Sequence, residues 1–247
     1  MVNLSGSVSS KPEGSPLTNP LILALDVDDE SRARQLAGDL QNLVGAFKLG
    51  PRLILRTGGR LIRDLAQNLP VFVDLKFFDI PSTMLSAVRS CFELGASLVT
   101  VHSLAGKETL VQLARLEAEL VRQRPFKILA VTILTSFEQE SLASVFKTQS
   151  LQRHVVDLVD LAQSAGLSGI VCSPEELKTL SNRGLFLVTP GIRLPENDRG
   201  DQKRVLSPEQ ALAEGASAIV VGRPILEASN PAEAALRFTR SLGSIRP

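Results

Sequence analysis

The chain contains no tryptophan and no tyrosine, and its ten phenylalanines leave aromatic residues at 4% of the sequence. Proteins that bind single-stranded nucleic acid stack bases on aromatic side chains, so this chain lacks the material for that function. It also lacks a strong charge of either sign. Twenty-seven Lys and Arg against 26 Asp and Glu give a formal net charge of +1, without the electrostatic footprint of a general nucleic-acid binder. Cysteine is scarce as well. Cys91 and Cys172 are far apart and show no ligand spacing, so they read as buried, reduced thiols of a cytoplasmic protein. Two histidines, His102 and His154, cannot by themselves furnish a zinc site. No apolar run reaches about 18 residues, which argues against a membrane-spanning helix. Residues 1–19 are rich in Ser, Pro and Gly without an apolar centre, and read as a disordered extension rather than a signal peptide.

From residue 20 to 247 the pattern is that of one domain. Short aliphatic runs recur at LILALDV, AFKLG, VFVDLKF, SLVTVHS, KILAVTIL, SGIVCS, LFLVTPGI and SAIVVGR. Near-continuous apolar runs of this length fit strands covered on both faces, as in a parallel sheet. Amphipathic segments separate them. In ESRARQLAGDLQNLV the apolar positions Ala33, Leu36, Ala37, Leu40 and Val44 fall at helical steps. Gly95, Gly166 and Gly215 stand where helices should close, and the glycine pair in LRTGGRLIRDL predicts a broken or late helix. About eight strand–helix units of this total length predict a closed (β/α)₈ TIM barrel. No Gly-x-Gly-x-x-Gly follows the first strand, against an open dinucleotide-binding sheet.

In a barrel, chemistry sits at the C-terminal ends of the strands. There this chain places Asp26, Lys48, Asp74 with Lys76 and Asp79, His102, Thr132 and Thr135, Arg193, and Gly222 with Arg223. Asp74 and Lys76 are two apart and so share a strand face; taken alone, the pair is equally well a structural salt bridge. With Lys48 and Asp26 on neighbouring strands it becomes an array of alternating sign, which holds a lysine protonated and carboxylates ionised. Gly222 lets backbone N–H groups approach an anion and Arg223 adds a guanidinium. TPGIR and the Gln202-Lys203-Arg204 cluster point to the same phosphate site, with the long seventh loop as its lid.

VDLKFFDIPST resembles the Asp-x-Lys-x-x-Asp-Ile-Pro-x-Thr signature of the orotidine 5′-phosphate decarboxylase family. ALDV, FKLG, VTILTS, TPGIR, GDQKRV and VVGRPI agree with it in order, from residue 20 to the end. The resemblance implies a homodimeric, cytoplasmic enzyme that converts orotidine 5′-monophosphate to UMP and CO₂, the last step of de novo UMP synthesis, with neither metal nor cofactor. It implies Lys76 as proton donor to C6, Asp74 beside the departing carboxylate, and Lys48 in the same charged array. Asp79 would enter the partner's site with Ile80 and Thr83. Asp26 and Lys48 would bind ribose hydroxyls, Thr135 the pyrimidine region, and Arg193, Gln202, Gly222 and Arg223 the phosphate. Phe78 and Ser82 depart from the His and Asn of many relatives. Two rival readings stand beside it: a magnesium-dependent sugar-phosphate enzyme of the same superfamily, which has Glu where this chain has Lys48, and a non-catalytic binder of phosphorylated ligands. The second leaves Lys76 without a purpose.

Overall fold

The structure is a computed structural model that describes residues 16–146, 148–194 and 206–243. Eight strands, β1 (Leu21–Ala24), β2 (Ala46–Leu49), β3 (Val71–Phe77), β4 (Ala96–His102), β5 (Lys127–Val131), β6 (Gly169–Val171), β7 (Phe186–Thr189) and β8 (Ala218–Val221), pair in parallel and in sequence order. β8 closes on β1 through Leu21, Ile22 and Leu23, which completes a TIM barrel. Each predicted apolar run coincides with one of these strands, β4 starting one residue before its run. Helices α1 (Glu30–Leu40), α2 (Pro51–Thr57), α3 (Gly59–Leu65), α4 (Pro81–Glu93) and α5 (Lys107–Leu120) lie between the first five strands. α6 (Leu151–Ser164), α7 (Leu177–Leu180), α8 (Pro208–Ala213), α9 (Arg223–Leu226) and α10 (Pro231–Ser241) follow.

The expected helical stripe on α1 buries Ala33, Leu36, Ala37 and Leu40, and Val44 is buried beyond the helix end. The glycine pair divides α2 from α3 at Gly58. Gly95, Gly166 and Gly215 have φ of +106°, +98° and +105°, the backbone region in which glycine ends a helix without a Cβ clash.

Strand alternation separates two cores. One side faces the helix layer; the other fills the barrel with Ile22, Ala24, Phe72, Leu98, Leu129 and Val220 among others. Leu17 joins that interior cluster, and Asn19 ties the segment down by donating to the Leu43 carbonyl and accepting from the Leu21 N–H. Leu17 and Asn19 therefore pack with the barrel, and residues 1–15 of the expected extension lie outside the described residues.

The interior changes character one strand step higher. Two residues beyond Ala24, Ala46, Phe72 and Leu98 come Asp26, Lys48, Asp74 and Thr100. An apolar floor thus carries a polar tier at the C-terminal mouth.

A candidate active site at the barrel mouth

Lys48 is only 9% exposed, and its ammonium lies between two carboxylates, 3.2 Å from Asp26 Oδ1 and 3.5 Å from Asp74 Oδ2. On the other side of Asp74, Lys76 Nζ donates to Oδ1 at 2.8 Å. The buried hydroxyl of Thr100 donates to the same oxygen at 3.0 Å. The four charges form one chain of alternating sign: Asp26, Lys48, Asp74, Lys76. Burial pushes the Asp74 carboxyl up, but the charges of Lys48 and Lys76 and the hydrogen bonds from Lys76 and Thr100 outweigh it, leaving Asp74 below its ordinary value.

That depression has a sign that can be measured. A carboxyl with a lowered folded-state pKa contributes stability that is fully present above its unfolded value, about 3.9, and is lost as pH falls through the folded value. Asp74→Asn removes this contribution. The wild type is expected to exceed the variant in Tm at neutral pH, and the gap to narrow once pH drops below about 4. A Tm difference independent of pH down to acid denaturation would contradict the electrostatics described here.

The Asp74–Lys76 contact does not come from simple strand alternation, as the spacing of two suggests. β3 and β4 are in register at Val73↔Val99 and again at Phe77↔Val101, with a shift between. β3 advances four residues while β4 advances two. The surplus forms a bulge, a device that re-aims side chains at strand ends. Within it Lys76 has φ +48°, the one positive φ outside glycine among the described residues. Such backbone costs on the order of 1–3 kcal/mol and persists where surrounding contacts hold it.

A cavity of about 670 Å³ opens over this tier. Asp26, Lys48, Asp74 and Lys76 line it, together with Thr135, Arg193, Gly222 and Arg223. Phe72, Ile133 and Val188 supply apolar surface. A Cβ on Gly222 would meet Ala24 Cβ at 3.5 Å and Asp26 Oδ2 at 3.7 Å, both ordinary contacts. The protein's own packing thus leaves room for a side chain there. The space that glycine keeps open belongs to the cavity.

Other expected residues lie elsewhere. Asp79 and Ile80, on the turn leading into α4, and Thr83, in its first turn, are exposed and do not line the cavity of their own chain. The Asp79 carboxylate accepts the Ile80 N–H at 2.6 Å. Phe78 packs its ring 5.6 Å from that of His102, whose Nδ1 accepts from the Leu104 N–H. Burial, then the Lys76 charge, lowers the His102 pKa, in keeping with a neutral acceptor. His102 and Thr132 are not in the cavity lining. Thr132 sits between Val131 and Ile133, which do line it, and faces the other way, buried with Oγ1 unpartnered. Gln202, with Lys203 and Arg204, lies outside the described residues.

Sequence reading missed Thr100 and Arg52. Arg52 lines the cavity and donates to the Asp26 carbonyl at 3.0 Å. Thr100 had a legible signal, since it stands two residues after the inward-facing Leu98. Arg52 had none beyond its place just after FKLG.

The arrangement joins two capacities. One end presents an ammonium paired with a carboxylate above an apolar floor, suited to stabilising and protonating a carbanion. The other presents guanidinium groups beside an open glycine, suited to an anionic group.

The model of the "Orotidine 5′-phosphate decarboxylase / HUMPS family" matches residues 19–238. An orotidine 5′-phosphate decarboxylase of Legionella pneumophila (strain Paris) is 41% identical over 231 residues, covering 92% of this chain and all of the relative. One from Carboxydothermus hydrogenoformans is 40% identical over 235 residues, covering 93% and 98%. The crystal structure of orotidine 5′-phosphate decarboxylase from Lactobacillus acidophilus superposes with a TM-score of 0.79 at 31% identity, covering 92% of this chain and all of that one.

Proposed function

The chain belongs to the orotidine 5′-phosphate decarboxylase / HUMPS family, and from that premise we propose that it converts orotidine 5′-monophosphate to UMP and CO₂ without a metal or cofactor, Lys76 protonating C6. The family supports the decarboxylation and its place in pyrimidine synthesis. The assignment of the proton donor rests on one observation above all: Lys76 is the cavity-lining ammonium that ends the charged chain, held at 2.8 Å by Asp74.

In this reading the C6–carboxylate bond breaks heterolytically and CO₂ departs. The electron pair remains on C6 in the ring plane, where the ring π system cannot delocalise it. The Lys76 ammonium stabilises the developing charge and then transfers its proton to C6. The neutral amine is reprotonated from solvent. Asp74 keeps Lys76 charged and aimed; both of its oxygens are engaged, one by Lys76 and Thr100 and the other facing Lys48. That supports an orienting role over one that works chiefly by repelling the substrate carboxylate. Asp26 and Lys48 would take the ribose hydroxyls, and Thr135 the pyrimidine. Arg193, Gly222 and Arg223 would hold the phosphate, together with Gln202 from the loop beyond the described residues.

The metal-free proposal is supported by Lys48. Its ammonium occupies the gap between Asp26 and Asp74, the pair of carboxylates that would otherwise suit a divalent cation. This disfavours the magnesium-dependent sugar-phosphate branch.

The proposal includes a homodimer. Asp79 cannot serve its own cavity from its exposed turn, and Phe78 and Ile80 beside it are 61% and 63% exposed, large apolar groups awaiting cover. A two-fold partner would cover this turn and receive Asp79, Ile80 and Thr83 at its site. If so, inactive Lys76→Ala and Asp79→Ala proteins, mixed and allowed to exchange subunits, regain about a quarter of wild-type activity, since half the dimers then carry one intact site. Mixtures that stay inactive despite demonstrated exchange contradict the shared site. A cytoplasmic location belongs to the same proposal, supported by two buried thiols whose pKa values burial pushes up to about 11 for Cys91 and about 12 for Cys172. Among the described residues no helix is long and apolar enough to cross a membrane.

A further inference from the structure

We propose that Thr100 is a positioning residue for the proton donor, its single hydroxyl holding Lys76 in the bulged backbone while orienting Asp74. This deepens the decarboxylase reading and rests on it.

The geometry is a closed ring of hydrogen bonds. The Lys76 backbone N–H donates to Thr100 Oγ1 at 2.9 Å. That hydroxyl donates its proton to Asp74 Oδ1 at 3.0 Å, and the same oxygen accepts from Lys76 Nζ at 2.8 Å. One hydroxyl thus fixes both the backbone and the ion-pair partner of a single lysine. Its position follows from the register shift. Between Val73↔Val99 and Phe77↔Val101, three residues of β3 face Thr100 alone, so the Lys76 amide leaves the regular ladder. Thr100 Oγ1 supplies the acceptor that a neighbouring carbonyl would provide in an unbroken sheet.

Lys76 is also the residue with φ +48°, so the backbone that most needs holding is the one Thr100 holds. Thr100 is fully buried, and water cannot substitute for it without displacing its neighbours. Nothing else about the position calls for a hydroxyl. Valine has the same shape and suits a strand at least as well. The polar atom is there for Lys76 and Asp74.

The test compares wild type, Thr100→Val and Thr100→Ser. kcat and KM are measured separately with orotidine 5′-monophosphate, Tm by calorimetry, and the titration of the Asp74 carboxyl by carbon NMR in the free enzyme. Thr100→Val is expected to lower kcat between about tenfold and a hundredfold, the range for losing hydrogen bonds to a charged site, with KM within about threefold. Its Asp74 titration should move up, because a hydrogen bond that favours the ionised form is gone. Thr100→Ser keeps the hydroxyl and should restore kcat to within about threefold of wild type and return the titration. A Thr100→Val enzyme within about twofold of wild-type kcat overturns the proposal. So does a Thr100→Ser enzyme as impaired as the valine variant, which would make the methyl group the working part. Should the wild type fail to turn over the substrate, the decarboxylase reading fails. The NMR titration then still decides: a shift in Thr100→Val that Thr100→Ser reverses sustains the positioning role, and an unmoved titration overturns it.

Discussion

Lys76→Ala is expected to lower kcat by at least about 10⁴-fold while the protein stays folded. The magnitude combines two losses that this one ammonium would cause: general-acid transfer, typically 10²–10⁴-fold, and electrostatic stabilisation of a carbanion, typically about 10²–10³-fold. The effect should fall on kcat, because the charge on C6 develops only on the way to the transition state. Stability should fall only modestly: alanine keeps the strained backbone, and Asp74 loses one ion pair but retains Lys48 at 3.5 Å and the Thr100 hydroxyl at 3.0 Å. Single-turnover assays and circular dichroism on the same preparation check both halves. A folded alanine variant retaining more than about a hundredth of wild-type kcat would remove Lys76 from the proton transfer.

Arg223→Ala should lower kcat/KM by about 10³-fold, although Arg223 follows β8, three strands round the barrel from the β3 that carries Lys76. The phosphate does not react. Its binding energy is useful only if it is converted into closure of the site and placement of the ring against the charged tier. An exposed arginine beside an open glycine can grip an anion from the solvent side, where a closing loop would meet it. The loss should therefore appear in kcat as well as in KM. A defect limited to about tenfold in KM would mean that Arg223 only anchors the substrate.

The barrel was largely legible because parallel strands buried on both faces must be written as apolar runs, and eight such runs are present. The glycine pair at 58–59 announced the break between α2 and α3 for a reason equally local. The candidate site was legible where polar residues interrupt strand ends: Asp26, Lys48, Asp74, Lys76, Arg193, Gly222 and Arg223 all reach one cavity. What escaped depends on register between strands. Asp74 and Lys76 meet through a bulge that no spacing within β3 discloses, and Thr100 gains its role from facing that bulge. Thr132 stands at the same strand end as Thr135, but it is buried outside the cavity lining. Asp79 shows a different limit, since it lies past the strand end, where alternation no longer fixes a side chain's direction, on an exposed turn outside its own chain's cavity.

The most direct test of the central claim is turnover of orotidine 5′-monophosphate to UMP by the purified full chain, in excess EDTA and without it. The account predicts equal rates in both, since Lys48 holds the place between Asp26 and Asp74 and Lys76 supplies the positive charge at C6. Absence of turnover, or turnover that EDTA abolishes and a divalent cation restores, would contradict it.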